Sequence, residues 1–146
     1  MSLSGEVVDK EHRLPVRVYY EDTDFTGVVY HGAYVRFFER GRSDYLRSIG
    51  INHAELMATE STAFSVTRMT IEFRRAARID DALTVRTRLP RTAGARLYFA
   101  QQVTRGEEVI ATAEVEAVCI DPAGRARRPP KALVDLVTPY LSGETP

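Results

Sequence analysis

Hydrophobic and polar positions alternate with a period of two near the start of the chain and again over its second half. In LPVRVYYE (residues 14–21) apolar positions alternate with polar ones, which is typical of a half-buried strand. Residues 62–75 alternate in the same way, with a change of parity that indicates a β-bulge near Thr67-Arg68. Three more strands, joined by short turns, are predicted over residues 83–89, 97–103 and 109–120.

Between the first two strands the period changes to that of a helix. From Gly32 to Ile49 the residues that recur at helical spacing form one stripe of about five turns. The stripe consists of Val35, Phe38, Arg42, Tyr45, Leu46 and Ile49. Glycine inside a helix costs about 1 kcal/mol of helix propensity, so at Gly41 we expect another part of the chain to pass close to the backbone. Gly50 is well placed to end the helix.

The order of the elements predicts the architecture. One strand and the long helix are followed by four strands, with two shorter helices expected at 52–58 and 131–141. Consecutive strands joined by tight turns predict an antiparallel sheet with the long helix covering one face. The predicted fold class is therefore α+β, a hotdog-like five-stranded antiparallel sheet wrapped round one long helix, in a single domain. The free edges of such a sheet predict a homodimer or homotetramer.

Composition excludes several classes of function. The 20 basic and 20 acidic side chains balance, which argues against nucleic acid or an anionic membrane as the main partner. No stretch has the pattern of a signal peptide or a membrane span, so we expect a cytoplasmic protein. The lone Cys119 alternates with apolar residues and is predicted to lie in the core, and it excludes an internal disulfide and every multi-cysteine metal motif.

The stretch YYEDTDFTGVVYHGAY (residues 19–34) carries the candidate chemistry. Asp24 lies in the turn that leads into the long helix, where unpaired backbone N–H groups and the positive end of the helix dipole collect. Such amides can stabilise an oxyanion, and a carboxylate beside them can act as a base or a nucleophile. Apolar neighbours such as Val28 would exclude water and help an apolar substrate to bind. An ordinary helix N-cap has the same pattern, so composition and spacing leave both interpretations open.

Three other residues of this stretch have possible roles of their own. Asp22 and His31 could join Asp24 as metal ligands, but no second histidine is near in sequence, and we expect no metal. Taken alone, a histidine such as His31 is more often structural than catalytic. Tyr20 continues the alternation of the first strand and is more typical of a core position.

The string VRVYYEDTD, followed by GVVYH and FFE, resembles the signature of the 4-hydroxybenzoyl-CoA thioesterase family of hotdog proteins. Within that family it is most similar to the Tol-Pal-associated acyl-CoA thioesterase branch. The resemblance continues through FRRAARIDDALTV (residues 73–85) and covers about residues 14–135 of the 146-residue domain. It implies hydrolysis of an acyl thioester to a carboxylic acid and CoA, with no metal or other cofactor.

The resemblance also implies roles for particular residues. Asp24, the second acid of the D-x-D motif, corresponds to the catalytic carboxylate, acting as general base or nucleophile. A backbone N–H in the Tyr30-His31 region is expected to polarise the thioester carbonyl. Tyr20 and His31 match family positions that could orient Asp24 or the thioester.

The substrate-binding part of the loop departs from the family. Gly27 and Val28 are expected to contact the substrate. The family commonly has small residues just after the catalytic aspartate, and this chain has Phe25-Thr26 there. The departure leaves the size of the pocket, and hence the preferred acyl group, open.

The phosphates of CoA suit arginine side chains. In hotdog thioesterases the pantetheine arm runs along a subunit interface, and the phosphates lie near basic residues. The candidates here are Arg91, Arg96, Arg125 and Arg127, together with Arg128. Each of them alone could equally be a solvated surface charge. Glu39, at the helix position where other hotdog branches carry a catalytic acid, is expected to be structural or supporting.

Two other functions stay open. A hotdog protein could bind acyl carrier protein or partners in an envelope complex with little turnover of its own. A hydratase or dehydratase uses the same fold with a His–acid pair, which His31 and Asp24 could imitate, although the order of the motif fits poorly.

Overall fold

A computed structural model describes residues 3–143 as one antiparallel sheet with a long helix on one face. The strands are β1 (Glu6–Val8), β2 (Glu11–Arg17), β3 (Ala63–Phe73), β4 (Ala82–Ala93), β5 (Arg96–Arg105) and β6 (Glu108–Ile120). Their order across the sheet is β1-β2-β4-β5-β6-β3. The helices are α1 (His31–Ser48), α2 (His53–Glu60) and α3 (Lys131–Val137), with 3₁₀ turns at Tyr20–Asp22 and Thr138–Tyr140. The α+β class, the antiparallel sheet and the long helix are thus confirmed.

The prediction of five strands was wrong, because the sheet has six. β1 pairs with β2 through a turn at Asp9 and Lys10, whose φ angles are 52° and 64°. The usual sequence signal for such a turn is Asn-Gly or Asp-Gly, and here lysine follows Asp9, so the signal is incomplete. β2 also ends at Arg17, before the predicted end of the first strand, and Tyr20 lies in the following 3₁₀ turn with 82% of its surface exposed rather than in the core.

α1 buries one face against the sheet. The buried residues are Ala33, Tyr34, Phe37, Phe38, Gly41, Arg42, Tyr45 and Leu46. Most of the predicted stripe is among them. Val35 is not, since it lies at the edge of this face and is 46% exposed.

Gly41 marks the closest approach of α1 to the sheet. A Cβ atom at this position would lie 2.7 Å from Cγ1 of Val85 and 2.9 Å from Oγ1 of Thr87, both on β4. Real Cβ atoms do not approach other atoms this closely, so the neighbouring side chains would have to shift. The predicted close approach at Gly41 is therefore confirmed.

A buried amide joins the helix to the sheet beside this contact. Nε2 of Gln101, on β5, donates to the Phe38 carbonyl and to Oγ1 of Thr87, both at 2.9 Å. Its Oε1 accepts from Nη1 of Arg42 at 3.1 Å. Buried polar groups need such partners, and these bonds fix the position of α1 along the strands.

Three local predictions are also confirmed. The register between β3 and β6 shifts between Val66 and Arg68, which places the β-bulge where the change of parity indicated. Gly50 follows α1 with a φ of 104°, a conformation that favours glycine. Cys119 is buried, and burial raises the pKa of its thiol to about 11. No helix within residues 3–143 is long and apolar enough to cross a membrane.

His12 is a fully buried titratable group on β2. Its Nε2 lies 2.6 Å from the carbonyl oxygen of Ser4, so this nitrogen carries the proton and donates. Its Nδ1 and the hydroxyl of Tyr45 have no partner in the described part of the chain, and the two rings pack edge to face at 6.3 Å. Burial lowers the pKa of His12.

This lowered pKa predicts that acid destabilises the protein. The unfolded chain protonates His12 near its ordinary pKa of about 6.5, whereas the folded chain does so only at lower pH. The stabilisation that neutral His12 provides is therefore present above about pH 6.5 and is lost as the pH falls below that value. We expect the free energy of unfolding, measured in urea, to fall between about pH 6.5 and 5.

His12→Gln removes the titration and keeps a donor for Ser4, so its free energy of unfolding should vary less over this range. Burial also lowers the pKa of His53, so His53→Gln is measured beside it to separate the pH dependence that this second histidine contributes. Equal pH dependence in the wild type and in His12→Gln would contradict the assignment.

Candidate active site

A tight hairpin over residues 22–30 joins the first 3₁₀ turn to α1. The Asp24 N–H donates to the Val28 carbonyl at 3.0 Å, and the Tyr30 N–H donates to the Asp22 carbonyl at 2.9 Å. Gly27 makes the turn with a φ of 84°, and its N–H donates to the Asp24 carbonyl at 3.1 Å. The hairpin therefore holds the backbone of Asp24 in one position relative to the start of α1.

Two contacts anchor this hairpin to the rest of the fold. The Val29 N–H donates to the Ala77 carbonyl at 2.8 Å. The buried carboxylate of Asp22 accepts from the Tyr19 N–H at 2.9 Å and lies 3.5 Å from Nη2 of Arg36 on α1. Asp22 is thus engaged in holding the loop, and within residues 3–143 no group of three His, Cys, Asp or Glu side chains is placed to share a metal ion.

The Asp24 carboxylate is held by one neighbour. Its Oδ1 accepts from the hydroxyl of Thr26 and from the Thr26 N–H, the latter at 2.8 Å. These bonds, the hydroxyl bond first, lower the pKa of Asp24, so the carboxylate is ionised at neutral pH. On the single chain it lies at the surface and is not among the residues that line the cavity near α1, α2 and β3.

α1 begins beside this carboxylate without a capping side chain. The Tyr30 N–H is already used by Asp22, and the Ala33 N–H donates to the Tyr30 carbonyl at 2.9 Å. Among the described residues, no acceptor bonds to the N–H of His31 or of Gly32. Within the Tyr30-His31 region, the His31 amide is therefore the candidate for binding an oxyanion. The Gly32 amide is a second candidate next to it.

Aromatic rings surround the start of α1. The ring of His31 lies 4.3 Å from that of Tyr30 and 6.4 Å from that of Phe73, measured between centroids. The ring of Tyr34 packs edge to face against that of Phe73, with 5.6 Å between their centroids. The structure thus brings the predicted residues Asp24, Gly27, Val28, Tyr30 and His31 into one hairpin–helix junction, whereas Tyr20 lies in the preceding turn.

The predicted phosphate-binding arginines lie at the opposite end of the sheet. Arg91 and Arg96 flank the turn between β4 and β5, where the Arg91 guanidinium stacks over the Tyr98 ring at 3.7 Å. Nη1 of Arg96 lies 3.3 Å from Oε2 of Glu116. β5 runs from this end to the end near the Asp24 hairpin, roughly 30 Å at about 3.3 Å per residue. One chain therefore does not bring these arginines to Asp24.

Arg125 and Arg127 follow β6 and lie at the same end of the sheet. Nη1 of Arg127 donates to the Glu60 carbonyl at the end of α2, at 2.8 Å. The Arg127 N–H donates to the Cys119 carbonyl at 2.9 Å. Arg125 is exposed. These two arginines are thus placed next to the start of β3, because Ala63 pairs with Ile120 at the end of β6.

A cavity that sequence reasoning did not predict lies between α1, α2 and the first part of β3. Its volume is about 290 Å³. It is lined by apolar Leu46, Ala63, Phe64, Val66, Phe99 and Ala117 and by polar Glu39, Arg42, Ser43 and His53. Ser43 donates to Oε1 of Glu39 at 3.1 Å, and burial lowers the pKa of His53. The one sequence signal for this cavity is Arg42, a charged residue inside the apolar stripe of the helix.

β3 is an edge strand whose outer side pairs with no other described strand. Its apolar side chains Val66 and Phe73 are 47% and 53% exposed. One end of this strand borders the cavity and the other end lies beside the start of α1. Ala63 and Phe64 line the cavity, and Phe73 lies beside His31. A long, exposed apolar edge is typical of a strand that pairs with another chain.

Comparison with known proteins shows the family. A family model described as thioesterase-like superfamily matches residues 18–136. The acyl-CoA thioester hydrolase YbgC of Escherichia coli O157:H7 is 45% identical over 124 residues, which cover 84% of this chain and 92% of that protein. The acyl-CoA thioesterase YbgC of Haemophilus influenzae is 40% identical over 115 residues, covering 79% and 85%.

Solved structures show the same fold. The crystal structure of a probable thioesterase from Bartonella henselae is 46% identical, with a TM-score of 0.79, and covers 82% of this chain and 99% of that chain. The predicted hotdog fold is thereby confirmed. With an antiparallel sheet around one long helix and a family match over residues 18–136, this chain belongs to the thioesterase-like superfamily of hotdog proteins.

Proposed function

We propose that this protein hydrolyses acyl-CoA thioesters and that Asp24 is its catalytic carboxylate. The observation that carries the proposal is the junction of the hairpin with α1, where an ionised carboxylate lies close in the chain to the unbonded amides of His31 and Gly32. An amide that donates to the developing oxyanion typically contributes about 3 kcal/mol to catalysis. The names of the relatives from E. coli and H. influenzae support the substrate class.

The reaction adds water across the C–S bond and releases a carboxylic acid and a thiol. Asp24 either takes a proton from the attacking water or attacks the carbonyl carbon itself, forming a mixed anhydride that water then hydrolyses. Thiolate is a good leaving group, so no strong general acid is required. The bonds from Thr26 keep the pKa of Asp24 low, so the carboxylate is ionised and available for either route.

A second copy of the chain completes the site. When two β3 edges pair antiparallel about a two-fold axis, the end of one strand lies beside the start of the other. Phe73, and with it His31, then meets Ala63 of the second copy. The cavity of the second copy begins at its own Ala63 and would open towards Asp24 of the first. This pairing supplies the cavity that Asp24 lacks on the single chain.

The same pairing would bring Arg125 and Arg127 close to an Asp24 hairpin. Arg125 and Arg127 lie next to the start of β3 on their own chain, so in the pair they come to the hairpin of the other copy. The phosphates of CoA would then be bound by the chain that does not supply Asp24. A homotetramer would join two such pairs. Binding of acyl carrier protein, an association with Tol-Pal and a cytoplasmic location stay predictions.

Asp24→Asn tests the central role. The amide can neither accept a proton nor attack the thioester, so we expect turnover to fall at least about 100-fold across a panel of acyl-CoAs, measured by release of free thiol. His31→Ala should lower turnover less, because the backbone amide of residue 31 is kept.

Glu21→Gln is the matched control for Asp24→Asn, as an exposed acid of the same segment, and it should keep nearly full activity. Equal rates for the wild type and Asp24→Asn would contradict the role of Asp24. A larger loss in His31→Ala would favour the hydratase interpretation, and addition of water to an enoyl-CoA without release of thiol would establish it.

Thr26→Ala tests the electrostatics of Asp24. Loss of the hydroxyl bond should raise the pKa of Asp24 towards its ordinary value of about 3.9. Since only the carboxylate is active, kcat/KM falls as the pH drops through this pKa. The acid limb of the pH profile should therefore shift to higher pH in the variant. Thr23→Ala is the control, because that hydroxyl donates to the Tyr20 carbonyl and not to Asp24. If the acid limb of the pH profile shifts in both variants, or in neither, the assignment is refuted.

Val66→Lys tests the pairing of the β3 edges. A lysine on an edge strand opposes pairing with another chain. We expect light scattering to show a dimer or larger assembly for the wild type and mainly monomer for the variant, with at least about tenfold lower kcat/KM. Ile79→Lys is the control, since Ile79 is 43% exposed but lies outside β3. An active wild-type monomer would contradict the composite site.

A further inference from the structure

Arg42 is an unusual residue in the wall of the cavity between α1, α2 and β3. It is only 8% exposed, and its one hydrogen bond within the described residues is from Nη1 to Oε1 of Gln101. No carboxylate of residues 3–143 forms an ion pair with it. A guanidinium has five N–H donors, and burying a charge with so few partners costs free energy, so its presence calls for an explanation.

The cavity supplies that explanation, because Arg42 lines it. Within residues 3–143, two side-chain polar atoms are buried without a hydrogen-bond partner, Nδ1 of His12 and the hydroxyl of Tyr45. Neither of them belongs to Arg42. The unbonded donors of Arg42 are therefore accessible, and the cavity is the space that its side chain borders. An acceptor inside the cavity would complete their hydrogen bonding.

The other walls define which ligand fits. Leu46, Phe64 and Phe99 make the cavity mainly apolar, and its volume of about 290 Å³ is at the small end of the roughly 300–1,000 Å³ usual for ligand pockets. A long acyl chain would exceed it. Glu39 lies one helical turn before Ser43 and adds a negative charge beside Arg42, so a ligand with its own carboxylate would be repelled.

We propose that Arg42 determines acyl specificity, by donating a hydrogen bond to a neutral oxygen, a hydroxyl or keto group, at the far end of a short acyl group. This inference rests on the proposed function, in which the cavity of one copy opens towards Asp24 of the other. On its own chain Arg42 lies eleven residues after His31, about 16 Å along the helix at 1.5 Å per residue. The cavity therefore serves the site of the second copy.

The test compares hydroxylated with plain substrates. kcat/KM is measured for butyryl- to octanoyl-CoA and for the same acyl-CoAs with a terminal hydroxyl. A hydrogen bond to a charged group is worth about tenfold or more. We expect the wild type to prefer the hydroxylated substrate by at least about tenfold at one chain length or more, and Arg42→Met to lower this ratio, measured within the variant, to about one.

Arg42→Lys is the second variant, because it keeps the charge with a shorter, single donor group, and its ratio should lie between those of the wild type and Arg42→Met. Arg40→Met, on the exposed side of the same helix, should leave the ratio unchanged. Thermal unfolding shows which variants fold.

A ratio that stays at the wild-type value in a folded Arg42 variant, or a wild type without preference at any length, would overturn the assignment to Arg42. Absence of thiol release by the wild type from every acyl-CoA would instead refute the proposed function itself.

Discussion

One backbone hydrogen bond, from the Tyr30 N–H to the Asp22 carbonyl, determines how the candidate site is built. This bond closes the hairpin and uses the amide of Tyr30, the residue just before α1. The His31 amide is then the first N–H of the helix without an acceptor. Asp24 lies inside the same closed loop. The backbone of Asp24 and the helix-end amide thus keep a fixed relation, and Thr26 holds the Asp24 carboxylate within the loop. Such preorganisation is what makes electrostatic stabilisation of a transition state effective.

The position of the helix along the sheet depends on a second constraint, the contact at Gly41. Because α1 lies so close to β4 there, the next residue, Arg42, is carried into the interior, where Gln101 is its hydrogen-bonding partner. A larger residue at position 41 would force the side chains of Val85, Thr87 and Gln101 to shift and would disturb the polar contacts that they make. The glycine that weakens the helix therefore places a charged side chain at the edge of the cavity.

Elements with a local signature were predictable from the sequence. The periods of the helix and the strands, the parity change at the bulge and the acid before the helix are such signatures. Each of them is contained within a short stretch of sequence. The turn at Asp9 and Lys10 was not predictable, because lysine rarely adopts a positive φ and stands where such turns usually have glycine. The exposure of Tyr20 was missed because the alternation continues after the strand has ended. The cavity beside Arg42 depends on how α2 meets β3, and such distant contacts leave no local pattern.

The unpaired edge of β3 has a consequence for how the activity depends on the amount of protein. If each site takes its carboxylate from one chain and its cavity from another, an isolated chain holds no complete site. At concentrations well below the dissociation constant of the pair, the number of complete sites then grows with the square of the protein concentration. Doubling the cellular level of this protein would there raise the total rate about fourfold, so its abundance alone would act as a steep control.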